Sequence, residues 1–104
     1  MRTVEYVNLL NPENRIRIRF EAEHGQILRF TVQLECWFDR WTPVIRYDTA
    51  HGFAHCDIIH PYGDDRKMQL AVESYNDALT YAITDMTDQW RRYRDRFERW
   101  QSRA

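Results

Sequence analysis

Two stretches of the chain, residues 15–22 and 28–38, place apolar side chains at every second position. The apolar positions are Ile16, Ile18, Phe20, Ala22, Leu28, Phe30, Val32, Leu34, Cys36 and Phe38. A period of two is typical of an antiparallel strand with one face in the core. Since a slip of one residue would exchange the two faces, the alternation also predicts a register, with Phe20 opposite Phe30.

The same pattern predicts two further strands over residues 41–49 and 53–60. Asp39-Arg40 and His51-Gly52 supply the turns before them. The predicted cross-strand pairs are Phe38 with Trp41, Leu34 with Ile45, Ile45 with Ile58, Arg46 with Asp57 and Asp48 with His55. With a first strand over residues 3–10, we expect a five-stranded antiparallel meander within residues 1–60.

A long helix is predicted over residues 74–101. Ser74 is a good N-cap, and the following apolar positions are spaced alternately four and three residues apart. They are Leu79, Ile83, Met86, Trp90, Tyr93, Phe97 and Trp100. With residues 61–73 as a connecting loop, the sequence predicts a single α+β domain, 1–104, with the sheet packed on one C-terminal helix.

The length of this helix predicts a homodimer. At 1.5 Å per residue it would span about 40 Å, whereas five strands placed side by side are only about 20–25 Å across. The helix must then overhang the sheet, bend, or pack on something else, and large apolar side chains are not left in water. We therefore expect Trp90, Tyr93, Phe97 and Trp100 to form a dimer interface.

Composition argues against several classes of partner. The formal net charge is −1, so there is no overall attraction to nucleic acid or to an anionic membrane. The arginines near the end of the predicted helix could contact RNA, but a solvated flank is the favoured interpretation. No apolar run reaches the ~20 residues of a membrane span, and the N-terminus does not resemble a signal peptide. We expect a cytoplasmic protein with no membrane partner and no cofactor, and with Cys36 and Cys56 as buried, reduced thiols.

The predicted register brings four polar residues together on the outer face of the sheet: Arg46, Asp48, His55 and Asp57. An aspartate that orients a histidine can support general acid–base catalysis, and nearby arginines can bind an anionic substrate such as a phosphodiester. Asp48 and His55 are therefore the candidate catalytic residues. The candidate binding residues are Arg17, Arg19, Arg46, His51 and Asp57. The alternative is that an exposed sheet face is simply polar, with ordinary cross-strand ion pairs.

A metal site is a further alternative for this region. His51, His55, Asp57 and His60 are ligand types that bind transition metals. Strand alternation, however, places His60 on the face opposite His55 and Asp57, and the spacing matches no recognised metal motif. No metal site is predicted.

The segment from Arg46 to His55 resembles the RYD-x-x-HG-x-x-H segment of small bacterial and archaeal proteins of unknown function. The stretch Ala78–Met86 also resembles their C-terminal helix. Over about ten residues, the YD-x-x-HG…H part is similar to the TumE-like toxins of toxin–antitoxin modules. In those toxins a denser histidine cluster follows the HG, whereas Cys56 and Asp57 stand here. The resemblance implies a small cytosolic α+β protein with Asp48, His51 and His55 at signature positions.

Two functions follow as expectations. The first is a small homodimeric binding or interaction protein, of which a member of a toxin–antitoxin-like module, with an antitoxin-like protein partner, is one form. The alternative is a nuclease-like or other phosphoryl-transfer enzyme that uses Asp48 and His55 on an open sheet face.

Overall fold

The structure, a computed structural model, describes residues 1–103. Its elements are β1 (Arg2–Asn11), β2 (Asn14–Glu23), β3 (Gln26–Trp37), β4 (Trp41–Asp48), a short 3-10 turn (Ala50–Gly52), β5 (His55–Ile58), β6 (Arg66–Gln69) and α1 (Tyr75–Ser102). No helix within these residues is long and apolar enough to cross a membrane.

The sheet is an antiparallel meander in the order β1-β2-β3-β4-β5-β6. This confirms the α+β class, with six strands instead of the expected five. The additional strand, β6, lies inside the segment predicted to be a connecting loop. All four of its residues are exposed and Met68 is its one apolar residue, so hydrophobic alternation gives no signal there. β6 is defined by its pairing with β5.

Most of the predicted register is confirmed. Phe20 faces Phe30 and Asp48 faces His55, as expected. The pairing of Phe38 with Trp41 was wrong, because the β3–β4 register shifts after Leu34 and Trp41 faces Trp37 instead. The shift falls next to Pro43, which has no N–H to give to a neighbouring strand and is typical of a bulge.

Helix α1 begins at a capped residue and lies along β3. The Ser74 hydroxyl accepts a hydrogen bond from the Asp77 N–H at 3.1 Å, as an N-cap does. Near the helix start, Asn76 donates to the Gly25 carbonyl at 2.9 Å, just before β3. Near its end, Arg94 donates to the Trp37 carbonyl at 3.1 Å, where β3 finishes.

This alignment corrects the premise that the helix crosses the sheet from strand to strand. Its contacts at Asn76 and Arg94 lie at the two ends of β3, so α1 runs along the strands instead of across them. The sheet therefore offers the helix the length of its strands, about 40 Å for the 12 residues of β3, and not its width.

The apolar seam of the helix is consequently covered by the chain's own sheet. Tyr93 and Phe97 are 8% and 2% exposed, and Trp90 and Trp100 pack half-buried against the same core. The Phe97 ring stacks on Phe38, with ring centroids 5.7 Å apart. These four residues therefore do not need a second copy of the chain to cover them. The dimer itself stays a prediction.

A buried polar contact joins the sheet to the helix. The hydroxyls of Tyr47 and Tyr93 both donate to Asp85 Oδ2, at 2.7 and 2.6 Å. Burial and these hydrogen bonds to a carboxylate raise the pKa of both phenols. Cys36 and Cys56 are free and buried, as expected, and burial raises the pKa of each thiol to about 12.

Candidate functional site

The turn between β4 and β5 positions the first candidate residue. Asp48 ends β4, and its Oδ1 accepts a hydrogen bond from the Ala50 N–H at 3.0 Å. His51 and Gly52 follow with φ of 71° and 84°, two successive left-handed residues that reverse the chain. Gly52 adopts this conformation without a steric cost. The carboxylate of Asp48 is thus held by the turn that leads into β5.

Three side chains converge at the start of β5, and we call them the Asp48–His55–Asp57 cluster. His55 Nε2 lies 2.9 Å from Asp48 Oδ1 and 3.4 Å from Asp57 Oδ2. The other ring nitrogen, Nδ1, lies 3.3 Å from the carbonyl oxygen of Phe53. One nitrogen and one oxygen from each carboxylate lie within 4.8 Å of one another. The predicted register therefore brings these residues together as expected.

His55 and Asp57 are buried and Asp48 is half-buried, which corrects the expectation of an open sheet face. His55 is 1% exposed and Asp57 is 8% exposed. The ring centroid of Phe53 lies 5.4 Å from that of His55, and the centroid of His51 lies 6.1 Å from it. The turn after β4 thus folds back over His55. Because His55 has almost no surface, it cannot serve as the group that meets a substrate directly.

The predicted ion pair between Arg46 and Asp57 does not form, although the two residues face each other in the register. Arg46 Nε donates to Gln33 at 2.8 Å. The cation nearest to Asp57 is Lys67 of β6, with Nζ 3.8 Å from Oδ1. Oδ1 itself is buried and accepts no hydrogen bond within the described residues, 1–103.

Arg17 belongs to a different network, centred on Glu35. Glu35 accepts hydrogen bonds from Arg15 at 2.7 Å, from Gln33 at 2.6 Å and from Arg17 at 3.3 Å. Burial alone would raise the pKa of Glu35, but these donors and the Arg17 charge outweigh it and lower the pKa. Arg17 and Arg46 therefore serve the polar network of the sheet face rather than the cluster.

A cavity of about 380 Å³ adjoins Asp48. Its polar side chains come from Arg19, Arg29, Thr31, Asp48, Thr49 and Tyr75. Arg19 was predicted as a binding residue, whereas Arg29 was missed. Arg29 also forms an ion pair with Glu21. Asp48 is the member of the cluster that lines this cavity.

His60 lies outside the cluster, on the helix side. Its ring stacks on Trp100 with centroids 4.6 Å apart, and His51 is exposed on the turn. The four-residue metal set considered from sequence is therefore not assembled. A different set is assembled, in which Asp48 joins His55 and Asp57.

The free edge of β1 is a second feature that sequence reasoning missed. Tyr6, Val7 and Leu9 are 44%, 43% and 60% exposed, and β1 has a neighbouring strand on one side only. The signal was present in the sequence, because apolar residues occupy both faces of this strand instead of one.

The fold and the cluster define an α+β protein with a meander sheet, one long helix and a buried Asp-His-Asp group. The chain matches, over residues 1–103, the model of a family described as a domain of unknown function, DUF7718. It belongs to that family, in agreement with the resemblance to proteins of unknown function. Comparison with curated proteins and with solved structures finds no match.

Proposed function

We propose that the protein is an interaction protein whose partner adds a strand to the free edge of β1. One observation carries this proposal: β1 is a ten-residue edge strand with exposed apolar side chains on both faces. An unpaired edge offers main-chain N–H and C=O groups to another strand. The exposed apolar residues would be covered in the same step, which adds a hydrophobic contribution.

The occupant we propose is a second copy of this chain. Antiparallel pairing of two β1 strands about Asn8 sets Val7 of each copy opposite Leu9 of the other, on one face of the joined sheet. Glu5 then faces Asn11, so no like charges oppose each other. Each apolar cross-strand pair contributes roughly 0.2–1 kcal/mol. The predicted homodimer is thereby moved from the helix seam to the sheet edge.

Light scattering on purified protein tests this interface. We expect a dimer for the wild type and a folded monomer for Val7→Lys, since charged side chains on an edge strand oppose pairing. The matched control is Val72→Lys, which places the same charge at another exposed valine and should leave the dimer intact. A wild type that stays monomeric at high concentration overturns the proposal. So does a Val7→Lys variant that remains dimeric.

A cytoplasmic setting in a toxin–antitoxin-like module is supported by the similarity of the segment Arg46–His55 to TumE-like toxins. Expression of the wild type in cells should then slow growth, and co-expression of the product of a neighbouring gene should restore it. Unimpaired growth at high expression contradicts this setting without affecting the edge interface.

A second candidate function is phosphoryl transfer, favoured by the position of Asp48 in a cavity that also holds Arg19 and Arg29. Two guanidinium groups suit a phosphodiester. The carboxylate of Asp48 would act as general base, and buried His55 would orient it through the 2.9 Å contact.

The activity is tested with bis(p-nitrophenyl) phosphate and with RNA. Asp48→Asn keeps the size of the side chain and an oxygen for the Ala50 N–H, and should abolish cleavage. Asp88→Asn, at an exposed helix position, is the control and should retain it. Equal activity in both variants rules out Asp48 as the base.

A further inference from the structure

We propose that the Asp48–His55–Asp57 cluster binds one divalent transition-metal ion. This inference goes beyond the proposed function and depends on neither the β1 interface nor a phosphoryl-transfer activity. It starts from the convergence of an imidazole nitrogen and two carboxylate oxygens within 4.8 Å. These ligand types suit zinc, manganese and iron.

The distances match those between ligands on one metal ion. With metal–ligand bonds of about 2.1 Å, two ligand atoms lie about 3.0 Å apart at a right angle and about 3.4 Å apart at a tetrahedral angle. His55 Nε2 lies 2.9 Å from the Asp48 oxygen and 3.4 Å from the Asp57 oxygen. Both pairs can accept a metal ion with only small side-chain movements.

The second observation is the unsatisfied carboxylate of Asp57. The residue is 8% exposed, and its buried Oδ1 accepts no hydrogen bond from the described part of the chain. A buried charged oxygen is costly unless a cation or a donor meets it. Lys67 Nζ, at 3.8 Å, is beyond hydrogen-bond distance, and its side chain is 46% exposed, so that ion pair offsets the buried charge only in part. The oxygen that lies near His55 Nε2 is the other one, Oδ2, and a metal ion bound there would neutralise the charge that the two oxygens of this carboxylate share.

The orientation of His55 is also that of a metal ligand. Nδ1 lies 3.3 Å from the Phe53 carbonyl oxygen, and because a carbonyl oxygen accepts only, a hydrogen bond between them requires the hydrogen on Nδ1. Metal-binding histidines commonly donate one ring N–H to a backbone carbonyl in this way. The other ring nitrogen, Nε2, lies between the two carboxylates, where it can bind a metal ion together with them.

The surroundings are suited to a site with open coordination positions. The Ala50 N–H holds Asp48 Oδ1 at 3.0 Å, which fixes one ligand from outside the cluster. Three protein ligands leave at least one position free. Asp48 is the ligand that borders the cavity of about 380 Å³, so a free coordination position on its side of the ion would face that cavity.

Calorimetric titration of protein freed of metal by a chelator tests the site, with zinc chloride and manganese chloride as probes. We expect one ion per chain for the wild type and at least tenfold weaker binding for Asp57→Asn. His24→Gln removes a histidine remote from the cluster and should leave the affinity unchanged. Wild-type protein that binds neither ion at millimolar concentration overturns the proposal, as does equal binding by Asp57→Asn.

A second variant keeps the test valid if Asp57→Asn fails to fold. Lys67→Met leaves all three ligands in place and removes the cation that competes for Asp57. The affinity for zinc should therefore rise by several-fold relative to the wild type. Binding that is unchanged or weaker in a folded Lys67→Met protein places the metal ion away from Asp57 and contradicts the proposed site.

Discussion

Arg46 and Asp57 face each other across β4 and β5, yet Arg46 donates to Gln33 at 2.8 Å while Asp57 faces His55 and Lys67. The guanidinium is drawn into the network around Glu35 on the neighbouring strands. Asp57 is therefore left with an imidazole and a distant ammonium group. This division leaves a buried carboxylate short of positive charge, which favours binding of a cation by the cluster.

Removal of His55 should destabilise the protein strongly. His55→Ala leaves a cavity and two adjacent carboxylates without their shared partner. A cavity in the core, together with buried carboxylate oxygens that lose their partner, typically costs about 2–5 kcal/mol. Urea unfolding of His55→Ala and His51→Ala, the same substitution at an exposed position, provides the measurement. A loss below about 1 kcal/mol for His55→Ala would contradict a tightly coupled cluster.

The large effect expected for His55→Ala also bears on tests of function. A change in cell growth or in catalysis caused by this variant would report unfolding as readily as loss of chemistry. Asp48→Asn is the better probe, because it preserves the shape of the cluster.

Glu35 should make stability depend on pH in the acid range. Its donors lower the pKa of its carboxyl in the folded state below the ordinary value of 4.5. Because the pKa of Glu35 is lower in the folded chain than in the unfolded one, the ionised carboxylate stabilises the fold at pH values above 4.5. This stabilisation is lost as the pH falls through the pKa of the folded state.

Glu35→Gln should therefore reduce the free energy of unfolding at pH 7 by about 1–3 kcal/mol, and the difference from wild type should shrink toward low pH. Thermal unfolding between neutral and acid pH measures it. Glu73→Gln, at an exposed loop position, is the control. A difference in free energy of unfolding that grows on acidification would contradict a lowered pKa of Glu35 in the folded state.

Tyr47 and Tyr93 should act as a unit through Asp85. Each single Tyr→Phe variant leaves Asp85 with the other hydroxyl, whereas the double variant leaves the carboxylate with neither. We expect the free energy of unfolding to fall by about 0.5–1.5 kcal/mol in each single variant. In the double variant it should fall by more than the sum of the two. A double-mutant cycle by urea unfolding measures the coupling. Strict additivity would show that the two hydrogen bonds are independent.

The parts of the fold that could be predicted depend on local alternation. The pairing of Phe20 with Phe30 follows from period-two patterns that admit only one register. The sixth strand could not be predicted, since Met68 is its one apolar residue and its pairing with β5 is a tertiary contact. The shift near Pro43 was missed because periodicity does not reveal a residue that bulges out of the ladder.

For the site, the register predicted which side chains share a face but not what covers it. Asp48, His55 and Asp57 were brought together correctly, whereas their burial depends on how the turn with His51 and Phe53 folds back over the sheet. The direction of α1 was likewise open, because amphipathic spacing defines the buried face of a helix and not its angle to the strands. The argument for a dimer interface at Trp90, Tyr93, Phe97 and Trp100 rested on an assumed crossing angle, and the interface itself stays a prediction.

Arg94 should be the main polar contact between the end of α1 and the sheet. Its guanidinium donates to the Glu13 carbonyl at 3.1 Å, to Asn14 Oδ1 at 2.7 Å and to the Trp37 carbonyl at 3.1 Å. Arg94→Met keeps the apolar stem but leaves these acceptors without their donor. We expect the free energy of unfolding to fall by about 2–4 kcal/mol. The control, Arg99→Met, changes an exposed arginine of the same helix and should cost less than about 0.5 kcal/mol.

Hydrogen exchange separates a local effect of Arg94→Met from a global one. Arg94 bonds to the β1–β2 turn and to the end of β3, so its loss should release this end of the sheet first. The amides of Trp37 and Phe38 should then exchange faster than those near Asn76, where the start of α1 is still tied to β3. Equal acceleration at both ends would mean that the helix detaches as one unit, and that Arg94 does not anchor its own end.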